Sequence, residues 1–264
     1  MSSTGAGYDY SPTTFSPEGR IYQVEYAQKA VEGSGAAVGV QCTDGVVVAL
    51  EKVMASPLLM PGSNRRVFTI DHHLGMAVSG FGADGRKLAN EARGAAKSYR
   101  QNYGSSTPTK SLADRMGGLM HAYTCYGALR PFGSAFILAG YDEDTKKTSL
   151  WMSGPDGVCL KYFGCAIGKG VQAAKTEIES KKLTERTCAD SLKDIAKILH
   201  LNHDSEREQD FELEMGWICE ASGWQFQRVP DALLKAADEQ AKAEVAEDDS
   251  DDDDDSDDDD EDED

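Results

Sequence analysis

The order of strand and helix patterns predicts an α+β protein, with two antiparallel sheets stacked face to face and helices outside. Three observations carry this. Strand-like runs come in pairs joined by turn signals, two long helical patterns then follow one another directly, and strands and helices return in the second half. Two successive helices with no strand between them argue against βαβ crossovers, and so against a parallel sheet. At 264 residues, 40% of them hydrophobic, the chain can bury a sizeable core, and no second domain is required.

Residues 1–11 are small and polar, with Gly5 and Gly7 loosening the backbone, and are expected to be mobile. Residues 15–31 read as a helix with a stiff lead-in. Ser16 offers a hydroxyl cap, Pro17 fixes φ in the first turn, Glu18 suits the positive end of the dipole, and Gly33 is the stop. Ile21, Val24, Ala27 and Val31 make one apolar stripe. Residues 36–42 and 46–52 are strand-like runs joined by Thr43-Asp44-Gly45, and 67–71 with 74–79 form a second hairpin. These four strands are expected to share one sheet.

Residues 84–103 place Leu88, Ala92, Ala95 and Tyr99 on one helical face, and 111–129 do the same with Leu112, Met116, Leu119 and Tyr123. Ser111 with Asp114 resembles a capping box, and Thr107-Pro108 separates the two helices. Strands at 135–141, 148–153 and 158–166 are expected to form the second sheet. Helices follow at 171–180 and 188–201, the latter capped by Thr187 with Asp190 and striped by Leu192, Ile195, Ala196 and Leu199. Residues 211–219 and 225–229 read as the last strands, and Pro230 opens a short helix to Ala243.

The formal charge of −19 is unevenly placed. Residues 247–264 hold 16 of the 46 acidic residues and no basic one, leaving 30 acids against 27 bases elsewhere. This tail has no apolar side chain to bury and repels itself, so it is expected to stay unfolded. The body lacks the basic footprint of a nucleic-acid binder, and no apolar run approaches the ~20 residues needed to cross a bilayer. Six scattered cysteines without C-x-x-C spacing, behind a polar N-terminus, suggest free thiols in a reducing compartment, the cytoplasm or nucleus.

Several motifs resemble chemistry without its context. Gly80-Phe-Gly-Ala-Asp-Gly85 spells a dinucleotide fingerprint, but its helix leads to another helix and no ribose-binding acid stands at the usual offset. Residues 164–170 fall one short of a P-loop, with Gly170 where Ser or Thr should hold magnesium. His72-His73 and His200-Leu-Asn-His203 have neither partner cysteines nor an H-E-x-x-H arrangement, so neither a metal nor a cofactor is expected.

Gly7-Tyr8-Asp9, then Phe15-Ser16-Pro17-Glu18-Gly19-Arg20 and Gln23-Val24-Glu25-Tyr26-Ala27, closely resemble the N-terminal signature of α-type subunits of the 20S proteasome. The resemblance continues through Asp44-Gly45, Ser79-Gly80 with Ala83-Asp84-Gly85-Arg86, Arg130-Pro131-Phe132-Gly133 and Ala166-Ile167-Gly168-Lys169-Gly170, and covers about residues 7–229. It implies a four-layer αββα sandwich of the N-terminal-nucleophile hydrolase kind. Three segments follow from it: an arm at 1–14, the folded domain at 15–246, and the acidic tail at 247–264. Its partners would be the other α subunits of a seven-membered ring, the β-ring subunits, and regulatory particles, in ubiquitin-dependent and ubiquitin-independent degradation. No nucleic acid or membrane is among them.

The same resemblance assigns residue roles. Sister β-type subunits use an N-terminal threonine whose own amine serves as base, and the matching position here is Gly35, preceded by 34 residues, so the chain reads as catalytically silent. Tyr8, Asp9, Pro17 and Tyr26 match the cluster that holds the arm in its open arrangement, although Tyr10 replaces the usual Arg. Arg66 stands where the family offers a lysine to an activator's C-terminal carboxylate. Ser250 and Ser256, each followed by acids, resemble acceptor sites for acidophilic kinases, where a phosphate would add about −1.5 to −2 charge. Two rivals remain: an independent hydrolase using Ser34, and an acidic-tailed chaperone of basic proteins.

Overall fold

The computed structural model describes residues 7–254, apart from 55, 57, 61 and 204–210. Ten strands form two five-stranded antiparallel sheets. The first runs β10 (Gln227–Arg228), β9 (Phe211–Cys219), β2 (Gly45–Val53), β1 (Ala37–Gln41), β8 (Gly164–Ile167). The second runs β3 (Val67–Asp71), β4 (Leu74–Gly80), β5 (Ser134–Asp142), β6 (Lys147–Ser153), β7 (Cys159–Tyr162).

The two hairpins predicted to share a sheet therefore lie in different ones. Burial explains the split: β2 is buried at eight of nine positions and β4 along its whole length, so each needs cover on both faces. An inner strand of a sheet between helices and a second sheet has that cover. In the same way the run at 158–166 is two strands, not one. The chain crosses between sheets at Phe163, which is 75% exposed.

Three apolar clusters define the layers. Between the sheets, Val46, Val48 and Leu50 meet Ala77, Ile137 and Leu150, with Phe226 closing one side. On the outer face of the first sheet, Val38, Val47 and Met215 pack against α4 (Val171–Ser180), α5 (Cys188–Leu201) and the start of α6 (Asp231–Asp254). On the outer face of the second, Met76 and Leu138 pack against α2 (Gly82–Tyr103) and α3 (Thr109–Thr124). The order is thus helix, sheet, sheet, helix, the expected sandwich.

Helix ends show where local reading succeeds and where it does not. Thr187 Oγ1 accepts from the Asp190 amide at 3.2 Å, as the sequence predicts. Ser111 caps nothing, because α3 begins earlier: the Thr109 amide and hydroxyl both donate to Asp142 Oδ1, at 2.7 and 2.9 Å. A carboxylate 33 residues away supplies the cap, and no local pattern reports it. The last helix continues past Ala243 to Asp254, so residues 247–254 are helical where an unfolded tail is expected. Docking of Ala237 and Ala241 against α5 nucleates the helix, after which each added residue gains a hydrogen bond at little further cost.

All six cysteines are free; Cys42, Cys165, Cys188 and Cys219 are buried, and burial pushes the Cys165 thiol up to about 12. No helix among the described residues is long and apolar enough to cross a membrane.

Candidate functional site

α1 (Tyr22–Glu32) lies across one end of the sandwich and has two different surroundings. Its start is later than the sequence implies. Residues 16–20 close a turn instead, in which Ser16 Oγ accepts from the Arg20 amide at 3.1 Å and Gly19 takes a φ of +79°. That φ is incompatible with a helical first turn, so Ser16 and Pro17 form a lead-in and Ile21 takes the N-cap position. Tyr22, Ala27 and Val31 are the residues α1 buries.

The C-terminal end of α1 meets the start of β1. Ser34 Oγ donates to the Val31 carbonyl at 2.5 Å and lies 2.7 Å from Ser79 Oγ, while Ser79 Oγ also donates to the Gly35 carbonyl at 2.5 Å. Those partners are a carbonyl and a hydroxyl, neither of which is a base. A Cβ on Gly35 would stand 2.5 Å from the Glu51 carbonyl, closer than real side chains approach. Glu51 itself is fully buried. It accepts from the Ala36 amide at 3.0 Å, Lys169 Nζ at 3.0 Å and His203 at 2.8 Å.

Arg66 belongs to this same end, which the sequence reading did not connect with Gly35. Its guanidinium donates to the Gly80 carbonyl at 2.7 Å and its amide to Glu214 Oε2 at 2.9 Å. Burial first, and then Arg86, lowers its pKa from the usual arginine value. Ser34, Gly35, Glu51, Lys52, Arg66 and Ser79 line a cavity of about 50 Å³, room for a water or two and not for a peptide.

The outward face of α1 is different. Tyr26 Oη donates to Asp9 Oδ2 at 3.5 Å, the outer limit of a hydrogen bond, and Gln23 Nε2 donates to the Asp9 carbonyl at 2.5 Å. Partial desolvation, then the Asp9 carboxylate, raises the Tyr26 phenol. The Tyr22 and Tyr26 rings stack 6.2 Å apart, and Arg20 lies over Tyr22 while pairing with Glu25 at 2.7 Å. Of the four residues assigned to the arm, Asp9 and Tyr26 are brought together, whereas Tyr8 and Pro17 stand exposed. Gln23 is a further residue that holds Asp9, not singled out from the sequence although it stands inside the quoted signature. Ser250 falls within α6, and Ser256 lies outside the described residues.

The dinucleotide-like run is structural. Gly80 ends β4, and Asp84 in α2 holds Arg130 through two hydrogen bonds at 2.6 and 2.8 Å and the Gly133 amide at 2.9 Å. β4 pairs antiparallel with β5 after two helices, so no nucleotide-binding crossover exists there. Asp71, His72 and His73, by contrast, bring one ligand atom each within 4.8 Å of one another.

A β-sandwich with helices on both faces, a helix across the end where β1 begins, and glycine at the head of that strand define a proteasome-type subunit. Residues 31–218 match the proteasome subunit family, and residues 8–30 match the N-terminal signature of proteasome A subunits. The chain belongs to the proteasome family as an α-type subunit of the 20S core, the non-catalytic class, and assembles with other subunits into that particle. It is 50% identical over 249 residues to the proteasome subunit alpha type-3 of Arabidopsis thaliana, covering 94% of this chain and 99% of that one. Identity to the alpha type-3 subunit of Acanthamoeba castellanii is 47%, over 94% and 97% of the two chains. The probable alpha type-7 subunit of Saccharomyces cerevisiae is 41% identical, over 94% and 87%.

Proposed function

We propose that this chain gates entry to the proteolytic chamber, its N-terminal arm moving over the pore of the outer ring while its body docks regulatory particles. The carrying observation is the Asp9 contact: among the described residues of the arm, Asp9 is tied to α1 by an exposed phenol and one amide, while Pro12 is buried. Contacts this few leave an equilibrium that a partner can bias, because a switch must lie within a few kcal/mol of its alternative. Tyr8 and Pro17 complete the cluster against neighbouring arms. Arg66 receives an activator's carboxylate, though its guanidinium must first release the Gly80 carbonyl. The chain itself lacks the nucleophile: Gly35 has no hydroxyl, its nitrogen follows 34 residues, and the hydrogen-bond partners of Ser34 are not bases.

The protein works in the cytoplasm and nucleus, in ubiquitin-dependent and ubiquitin-independent degradation, and its acidic segment is a binding surface tuned by phosphate on Ser250 and Ser256. Native mass spectrometry of the tagged chain from its own cells, with a peptidase assay before and after deleting residues 1–11, tests the reading. A four-ring particle whose basal peptide hydrolysis rises on deletion supports it. A particle indifferent to the deletion removes the gating role.

A further inference from the structure

The hairpin turn between β3 and β4 gathers Asp71, His72 and His73 far from the arm and from Gly35. The ring nitrogens of His73 are assigned by their partners. His73 Nε2 lies 2.8 Å from the Thr107 carbonyl, which can only accept, so the proton is on Nε2 and Nδ1 carries a lone pair. His72 Nδ1 lies between a donor and an acceptor, 3.0 Å from Arg100 Nη2 and 3.1 Å from Asp71 Oδ1, while its Nε2 faces Glu143 at 3.2 Å. His73 thus donates outward to oxygen and presents a bare nitrogen inward, and His72 turns its Nδ1 to the same side. Histidines that ligate metals are held this way.

The three ligand atoms lie within 4.8 Å of one another. His73 Nδ1 is 4.0 Å from Asp71 Oδ2, and His72 Nδ1 is 3.1 Å from Asp71 Oδ1. Arg100 supplies a positive charge to two of the three, reaching Asp71 Oδ2 at 2.6 Å from α2. It leaves His73 Nδ1 without a hydrogen bond, in a side chain only 2% exposed. An unpaired buried nitrogen costs free energy that a suitable ligand would recover. Arg100 is about half exposed and free to swing outward. His73 borders a cleft of about 220 Å³ that Asp142, Glu143 and Asp144 also line, a route that draws cations inward.

We propose that Asp71, His72 and His73 form a binding site for a divalent transition-metal ion of the zinc type, which displaces the Arg100 guanidinium. Two imidazole nitrogens and one carboxylate oxygen suit zinc, whose bonds to such ligands are about 2.0–2.2 Å, and water would take the open position. His73 Nδ1 and Asp71 Oδ2, 4.0 Å apart, would have to close by about half an ångström to share one tetrahedral ion at those bond lengths. The spacing rules applied to the sequence look for Cys pairs or His separated by a helical turn. Three adjacent ligands on a hairpin turn escape them.

The test is titration of the metal-stripped full chain with Zn²⁺ in competition with a chromogenic chelator, and with Co²⁺ followed by visible absorption. The expected result is one tight site per chain, with the absorption of a four-coordinate nitrogen–oxygen site, distinct from carboxylate binding along the acidic tail. His72→Ala and Asp71→Asn, on a surface turn where folding survives, should weaken it at least tenfold, and Arg100→Ala should tighten it. Should wild type and Arg100→Ala hold Zn²⁺ no better than His72→Ala, the site is refuted and Arg100 is its resident cation.

Discussion

One helix, α1, borders two regions built on opposite terms. At its C-terminal end, Ser34, Gly35 and Ser79 are locked by short hydrogen bonds over a fully buried Glu51, with no room for another side chain. On its outward face, Asp9 is held by a long phenol contact and a single amide in solvent. The first region is closed packing, and the second is the surface contact on which the proposed gating role rests.

The contrast can be broken most forcefully from inside the sandwich. The Phe226 ring lies over Gly75 and Gly216 between the sheets, so Phe226→Ala should lower stability by about 3–5 kcal/mol in denaturant unfolding. Gly35→Thr comes next: overpacking against the Glu51 carbonyl should cost about 1–3 kcal/mol and confer no peptidase activity. Any hydrolysis by that variant alone would mean the end is a dormant active site.

Buried His73 gives a pH signature that the arm should not share. Burial depresses its folded pKa below the ordinary value of about 6.5, so its contribution to stability is full above that pH. As pH falls below it, the unfolded chain takes up the proton first and stability declines toward the folded pKa. Unfolding midpoints measured across that range should fall less in His73→Gln. Smallest in stability is Asp9→Ala, expected within about 0.5 kcal/mol of wild type because the contact is exposed, while activator-stimulated hydrolysis in the particle falls severalfold.

Much of the fold is legible locally, since β3, α4, α5 and β9 follow from periodicity, turns and caps within the segment. The division into sheets is not. β2 and β4 read as interchangeable apolar strands, and only their burial on both faces separates them. The break at Phe163 is similarly hidden, because a strand that changes sheets keeps its composition. Of the site, Asp9 and Tyr26 come from the signature, but the joining of Arg66 to the Gly35 end does not. That junction depends on β2, β4 and the residue leading into β3 meeting the start of β1 from two different sheets, a long-range event with no local mark.

The most direct measurement compares peptide hydrolysis by assembled particles carrying Asp9→Ala, Tyr26→Phe or Ser34→Ala, each with an activator that opens the ring. Division of labour between the two regions predicts that the first two lower the stimulated rate severalfold and that Ser34→Ala leaves it unchanged. Loss of hydrolysis with Ser34→Ala, or no change with Asp9→Ala and Tyr26→Phe, would contradict it.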